Sequence, residues 1–147
     1  MIRVTQIIFL GLLIGQLLFA GVIYFLMMGN KSGHLLASNL FFSLVPVAVL
    51  LLLGGAAWYV NRHQAQRIPA GMPLDARLKH YQQRVLVRMA LVEAGVLTVG
   101  VFAMISANMS LYLLMLVGIG GFTLFRPKVE EFVRDYHVNS KEEKELS

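Results

Sequence analysis

Apolar residues fill four stretches of the chain, at about 5–28, 38–60, 85–106 and 109–125, with few polar interruptions. Crossing a hydrocarbon layer about 30 Å thick at about 1.5 Å per helical residue takes roughly 20 residues, so each stretch reads as a membrane-spanning helix. The expected fold class is all-α: a polytopic membrane protein, a single domain with four transmembrane helices in two hairpins. The first run is longer than the apolar core of a secretory signal, and no small-x-small cleavage pattern precedes Asn30, Lys31 and Ser32, so it is expected to be retained. Trp58 and Tyr59 close the second run with rings suited to a membrane–water boundary, and Pro46 inside it is of a kind that membrane helices tolerate. Only Ala107 and Asn108 separate the third and fourth runs, which predicts a tight antiparallel turn.

Between the runs lie a loop at about 61–84 and a tail at 126–147, and both change to a one-sided helical pattern. Pro73 suits the first turn of a helix starting near Leu74, whose apolar positions Leu74, Leu78, Tyr81 and Val85 fall on one stripe. The third span is therefore expected to continue out of the membrane as one helix. Pro127 likewise opens an amphipathic tail helix, with Glu130 and Glu131 in its first turn and a stripe of Val129, Phe132, Val133 and Tyr136. The two stripes can bury each other, lie on the bilayer surface, or dock a partner; burial is the expectation. Residues 139–147 alternate in charge and are expected to fray.

Composition agrees with a membrane class: 57% of residues are hydrophobic, 14% are charged, and the mean hydropathy is +0.67. The absence of cysteine excludes disulfides, thiol nucleophiles and thiolate metal sites. Charge then orients the spans. Arg62, Arg67, Arg77, Lys79, Arg84 and Arg88 lie in or beside the loop, Arg126, Lys128, Arg134, Lys141 and Lys144 in the tail, and Arg3 at the start; Lys31 alone lies opposite. Lys and Arg are retained on the cytoplasmic side during insertion, which puts both termini and the loop in the cytoplasm of a bacterial inner membrane. The net charge of +5 and pI near 9.8 follow from these flanks, which attract anionic headgroups. No nucleic-acid motif accompanies them, so no nucleic-acid partner is expected.

Candidate chemistry is sought among polar residues within the spans, where they are costly. Glu93 is the one acid in any span, about 13 Å along the helix from Arg84, and Gln16 is its counterpart in the first helix. Arg88 is five residues from Glu93, a rotation of about 500°, so the two point apart and Arg88 is expected to snorkel to the interface. Two roles stay open for Glu93: a neutral carboxyl bonded to Gln16, Thr98 or a backbone carbonyl of another helix, or a proton-binding site. Small residues favour close helix approach, foremost the Gly11-x-x-x-Gly15 step, with Gly54, Gly55, Gly118, Gly120 and Gly121 behind it. His34, His63, His80 and His137 are scattered, and no nucleotide-binding loop or nucleophile–base set is present. An enzyme, a cofactor and a bound metal are not expected.

The run Ala90-Leu91-Val92-Glu93-Ala94 resembles the acidic helix of rotary-ATPase ring proteolipids, although the acid lies on the first helix of its hairpin rather than the second. A longer resemblance is to uncharacterised four-helix membrane proteins of Bacteroidota. It rests on Leu78 and Tyr81, on Arg88-Met89-Ala90-Leu91-Val92-Glu93, on Asn108, and on Arg126-Pro127 followed by Glu131, Phe132 and Asp135; Lys128 departs from it. That resemblance implies an architecture and an envelope location, without an activity. The expected function is a structural or accessory membrane protein, a small subunit of an assembly or a homo-oligomer, with the bilayer as its partner. The alternative is a small proton-coupled transporter or channel centred on Glu93.

Overall fold

The computed structural model describes residues 2–29, 39–66 and 73–136. These form five helices: α1 (Ile2–Gly29), α2 (Leu40–Gln66), α3 (Leu74–Ser106), α4 (Met109–Leu124) and α5 (Val129–Tyr136). Helices α1, α2 and α3 are long and apolar enough to cross a membrane. Helix α4 is equally apolar but has 16 residues, a rise of about 24 Å, which is shorter than a typical hydrocarbon core. Among the described residues three helices thus reach spanning length and α4 is a shorter apolar helix, because Asn108 and Pro127 bracket the last apolar run closely.

One boundary moves and one holds. Helix α2 runs through Pro46 and on past position 60 to Gln66, while α3 begins at Leu74 as its apolar stripe predicts, so most of the segment between the second and third apolar runs is helical. Extending a helix into water keeps its backbone bonded at no desolvation cost, and neither segment contains a breaker. The N-cap Pro73 is extended (φ −62, ψ 154), and the 33 residues of α3 rise about 50 Å, well beyond a hydrocarbon core.

At the other end of α3, Ala107 turns the chain in the left-handed region at φ 47, its N–H bonded to the carbonyl of Ala103. The Asn108 side chain accepts the N–H of Ser110 at 3.0 Å and caps α4. Two residues therefore suffice to reverse direction. Helix α4 returns antiparallel along α3, so close that a Cβ on Gly118 would lie 2.9 Å from the Val96 side chain.

Helix α3 is the centre of the bundle, with α2 on one flank and α1 and α4 on the other. Gly95 lets Leu50 of α2 approach, and a Cβ on Gly100 would fall 2.8 Å from both Ile23 of α1 and Met115 of α4. Phe9 of α1 stacks on Phe122 of α4 with centroids 5.1 Å apart. Close approach is thus supplied by Gly95, Gly100 and Gly118. Around Gly11 and Gly15 an added Cβ would meet nothing within 4 Å. Within one chain the glycine step of the first helix therefore faces outward, because Thr5, Phe9, Gln16, Ala20, Ile23 and Met27 make up the buried face of α1.

Candidate functional site

Polar and ionisable side chains collect at the end of the bundle where the Gln6 amide of α1 donates to the Pro127 carbonyl at 3.5 Å. Arg84 and Arg88 are four residues apart on α3, and Glu131 and Asp135 are four apart on α5, so each pair shares one helix face. The helices meet in opposed directions and the two pairs align. Arg84 Nη2 donates to Asp135 Oδ2 at 2.7 Å and to Glu131 Oε1 at 3.4 Å. Arg88 donates to Glu131 through Nη1 to Oε1 at 2.8 Å and Nη2 to Oε2 at 3.3 Å. Arg88 also donates to the Asn61 side chain of α2 at 2.9 Å and to the Phe125 carbonyl at the end of α4 at 3.1 Å. One guanidinium thereby ties together α2, α3, α4 and α5.

These arginines are not surface groups. Arg84 is 0% exposed and Arg88 3% exposed, which overturns the expectation that Arg88 reaches for the interface. Burying a guanidinium is tolerable when its charge is matched, and here two cations face two carboxylates. Aromatic rings supply the rest of the wall: Arg84 lies 5.5 Å from the Tyr81 ring and 5.7 Å from the Tyr136 ring, and Arg88 lies 5.5 Å from Phe125. The apolar stripes of α3 and α5 close beneath the charges. Tyr81, Phe132 and Tyr136 pack edge-on or stacked, with Phe132 and Tyr136 centroids 4.9 Å apart.

The phenols are also bonded. Tyr81 Oη donates to the Lys128 carbonyl at 3.1 Å, and Tyr136 Oη lies 2.6 Å from His80 Nδ1. Burial raises the Tyr136 phenol above its ordinary range, and Asp135 and Glu131 add to the rise against the opposing influence of Arg84. Arg77 donates to the Tyr136 carbonyl at 3.4 Å at the end of α5. Three hydrogen-bonding atoms, Arg84 Nε and Nη1 and Arg88 Nε, have no partner among the described residues.

The other topology-setting cations are spread more widely. Arg62 lies over Trp58 at 5.4 Å, while Lys79, Arg126 and Lys128 are exposed. Arg67, Lys141 and Lys144 lie outside the described residues, as do Lys31, His34 and His137.

The structure does not bring the intramembrane candidates together. Thr98 Oγ1 donates to the carbonyl of Ala94 one turn back in its own helix, at 2.8 Å. Gln16 is 1% exposed, and neither of its amide atoms has a partner among the described residues. Glu93 is half-buried on the edge of α3 and makes no hydrogen bond among the described residues. The bond from Glu93 to Gln16 or Thr98 considered from the sequence is therefore not made. Among the described residues no group of three or more His, Asp or Glu side chains is placed to hold a metal ion.

The charged network went unassigned in the sequence reading, although its residues were in view. The signal was two matched spacings of four, 84/88 and 131/135, flanking the two apolar stripes that were expected to pack. No family model matches the chain, and neither the curated proteins nor the solved structures give a match.

Proposed function

We propose that this protein is a structural or accessory component of a bacterial inner membrane, acting as a small subunit of an assembly or as a homo-oligomer. Four spans in two hairpins, with both termini and the loop in the cytoplasm, complete the reading; α4 would cross by drawing its polar flanks toward a locally thinner bilayer. The observation that carries it is the arginine–carboxylate network. The most buried charges in the described chain join four helices to one another, which is the work of a rigid scaffold rather than of a group that must exchange protons or meet substrate. Gly11 and Gly15 on the outward face of α1 supply a surface on which a second membrane helix could approach closely.

A second reading, proton-coupled transport through Glu93, draws on the unpartnered amide of Gln16, since an unfilled polar site inside a bundle is what a proton path would need. One experiment separates the two. Purified protein in lipid nanodiscs is expected to show a defined oligomer, or a stoichiometric membrane partner, by native mass spectrometry, and Gly11→Ile with Gly15→Ile is expected to dissociate it. A monomer that conducts protons in vesicles, with conduction lost in Glu93→Gln at unchanged stability, would overturn the scaffold reading in favour of transport.

A further inference from the structure

Beside the arginine–carboxylate network lies an open cleft of about 430 Å³ where the ends of α2 and α4 meet the start of α5. Four cations, Arg88, Arg126, Lys128 and Arg134, line it against two acids, Glu130 and Glu131. Arg88 is matched by Glu131 and Arg134 by Asp135, so the excess of positive charge in the cleft comes from Arg126 and Lys128 against Glu130. Arg88 forms its buried wall. Nη1 and Nη2 of Arg88 are bonded, but its Nε has no acceptor among the described residues. That Nε is itself enclosed, so the charge the cleft offers to an incoming anion comes from the exposed cations at its rim. Arg126 and Lys128 have no ion-pair partner among the described residues, and both are exposed at the rim.

The lip of the cleft is apolar. Leu124, 82% exposed, belongs to it, and Val117 and Leu113 continue the same exposed track along α4 toward the far end of the bundle. A ligand with a phosphate head and an acyl tail matches both parts, whereas free phosphate would use only the first. We propose that this cleft binds the phosphate headgroup of an anionic membrane phospholipid, whose acyl chain lies along the Leu113, Val117 and Leu124 face of α4. The proposal rests on the membrane reading of the helices and not on the oligomeric state, so its outcome is independent of whether the protein assembles.

The test uses the full chain in detergent, read by native mass spectrometry and thermal shift, with three probes: dioleoyl phosphatidylglycerol, dioleoyl phosphatidylcholine and inorganic phosphate. Phosphatidylglycerol is expected to stay bound and to raise the melting temperature more than phosphatidylcholine, and inorganic phosphate is expected to do neither. Arg126→Gln with Lys128→Gln, both at the exposed rim, is expected to weaken phosphatidylglycerol binding about tenfold or more while leaving lipid-free melting unchanged. Arg62→Gln with Lys79→Gln makes the same charge change outside the cleft and is expected to leave binding as it was. Equal weakening by both double variants would show a diffuse charge effect and overturn the site. Equal response to phosphatidylcholine, or to inorganic phosphate alone, would overturn the anionic-lipid assignment.

Discussion

At the charged end of the bundle, Arg84 and Arg88 are as buried as the valines around them, and each is met by a carboxylate from α5. Further along the bundle the polar residues are treated differently: Gln16 is just as buried but its amide is unmatched, and Glu93 lies at an edge without a hydrogen bond among the described residues. The difference lies in what the chain brings to each level. Near the end, a short helix returns from the turn after α4 carrying acids at the spacing of the arginines. In the middle, α1, α3 and α4 contribute mainly aliphatic and aromatic side chains, so a single amide finds no complement. Polar groups in an apolar bundle are accommodated here in opposed sets, and one that arrives alone is a defect or a vacancy for another molecule.

The comparison breaks most forcefully at Arg88. Arg88→Leu leaves the Glu131 carboxylate only the longer contact to Arg84 at 3.4 Å and is expected to cost about 3–5 kcal/mol, measured by unfolding in detergent. Arg88→Leu combined with Glu131→Leu is expected to recover a large part of that loss, because the stranded charge is gone. A double variant as unstable as the sum of the two single ones would mean that packing, not pairing, holds α5 in place.

Gln16→Leu probes the other region and carries the opposite sign. Removing a buried amide whose atoms have no partner among the described residues is expected to stabilise the detergent-solubilised protein by about 1–2 kcal/mol. A destabilised Gln16→Leu would show that this amide is satisfied by a second molecule. The same assay applied to Glu93→Leu is expected to give a change within about 0.5 kcal/mol, as fits a side chain with no bond to lose.

A more modest effect than at Arg88 belongs to the margin of the charged network. Tyr136→Phe keeps the stacked ring on Phe132 but removes the phenol that meets His80, and is expected to cost about 0.5–1.5 kcal/mol. Because burial holds the Tyr136 phenol neutral, its share of stability is fully present below the ordinary tyrosine value of about 10 and falls as pH rises through the raised value. Tyr136→Phe is therefore expected to be less sensitive than the wild type to alkali above pH ~10, read as the pH dependence of melting.

Much of the architecture was legible. Unbroken apolar runs located three helices of spanning length, the stripe at Leu78, Tyr81 and Val85 foretold the outward extension of α3, and Pro127 with Phe132 and Tyr136 foretold a tail helix that packs on it. Less was legible about α4, whose apolar run sits near the lower limit of spanning length, and about the stretch just after position 60, where polarity was read as loop although α2 continues to Gln66. The candidate site was legible in its parts and not as a unit. Rotation along one helix correctly separates Arg88 from Glu93, but it says nothing of a partner 43 positions later in the chain.

What the sequence determines by itself is local: where backbone hydrogen bonding must be internal because side chains are apolar, and where proline and asparagine start or cap a helix. What only the tertiary structure decided is which faces meet. Gly11 and Gly15 look outward while Gly100 and Gly118 lie at the contacts, and Arg84 and Arg88 turn inward to carboxylates instead of outward to water. Both outcomes depend on the rotation of each helix about its own axis. That rotation is set by the summed packing of many weak contacts across the bundle, and no single stretch of sequence contains them.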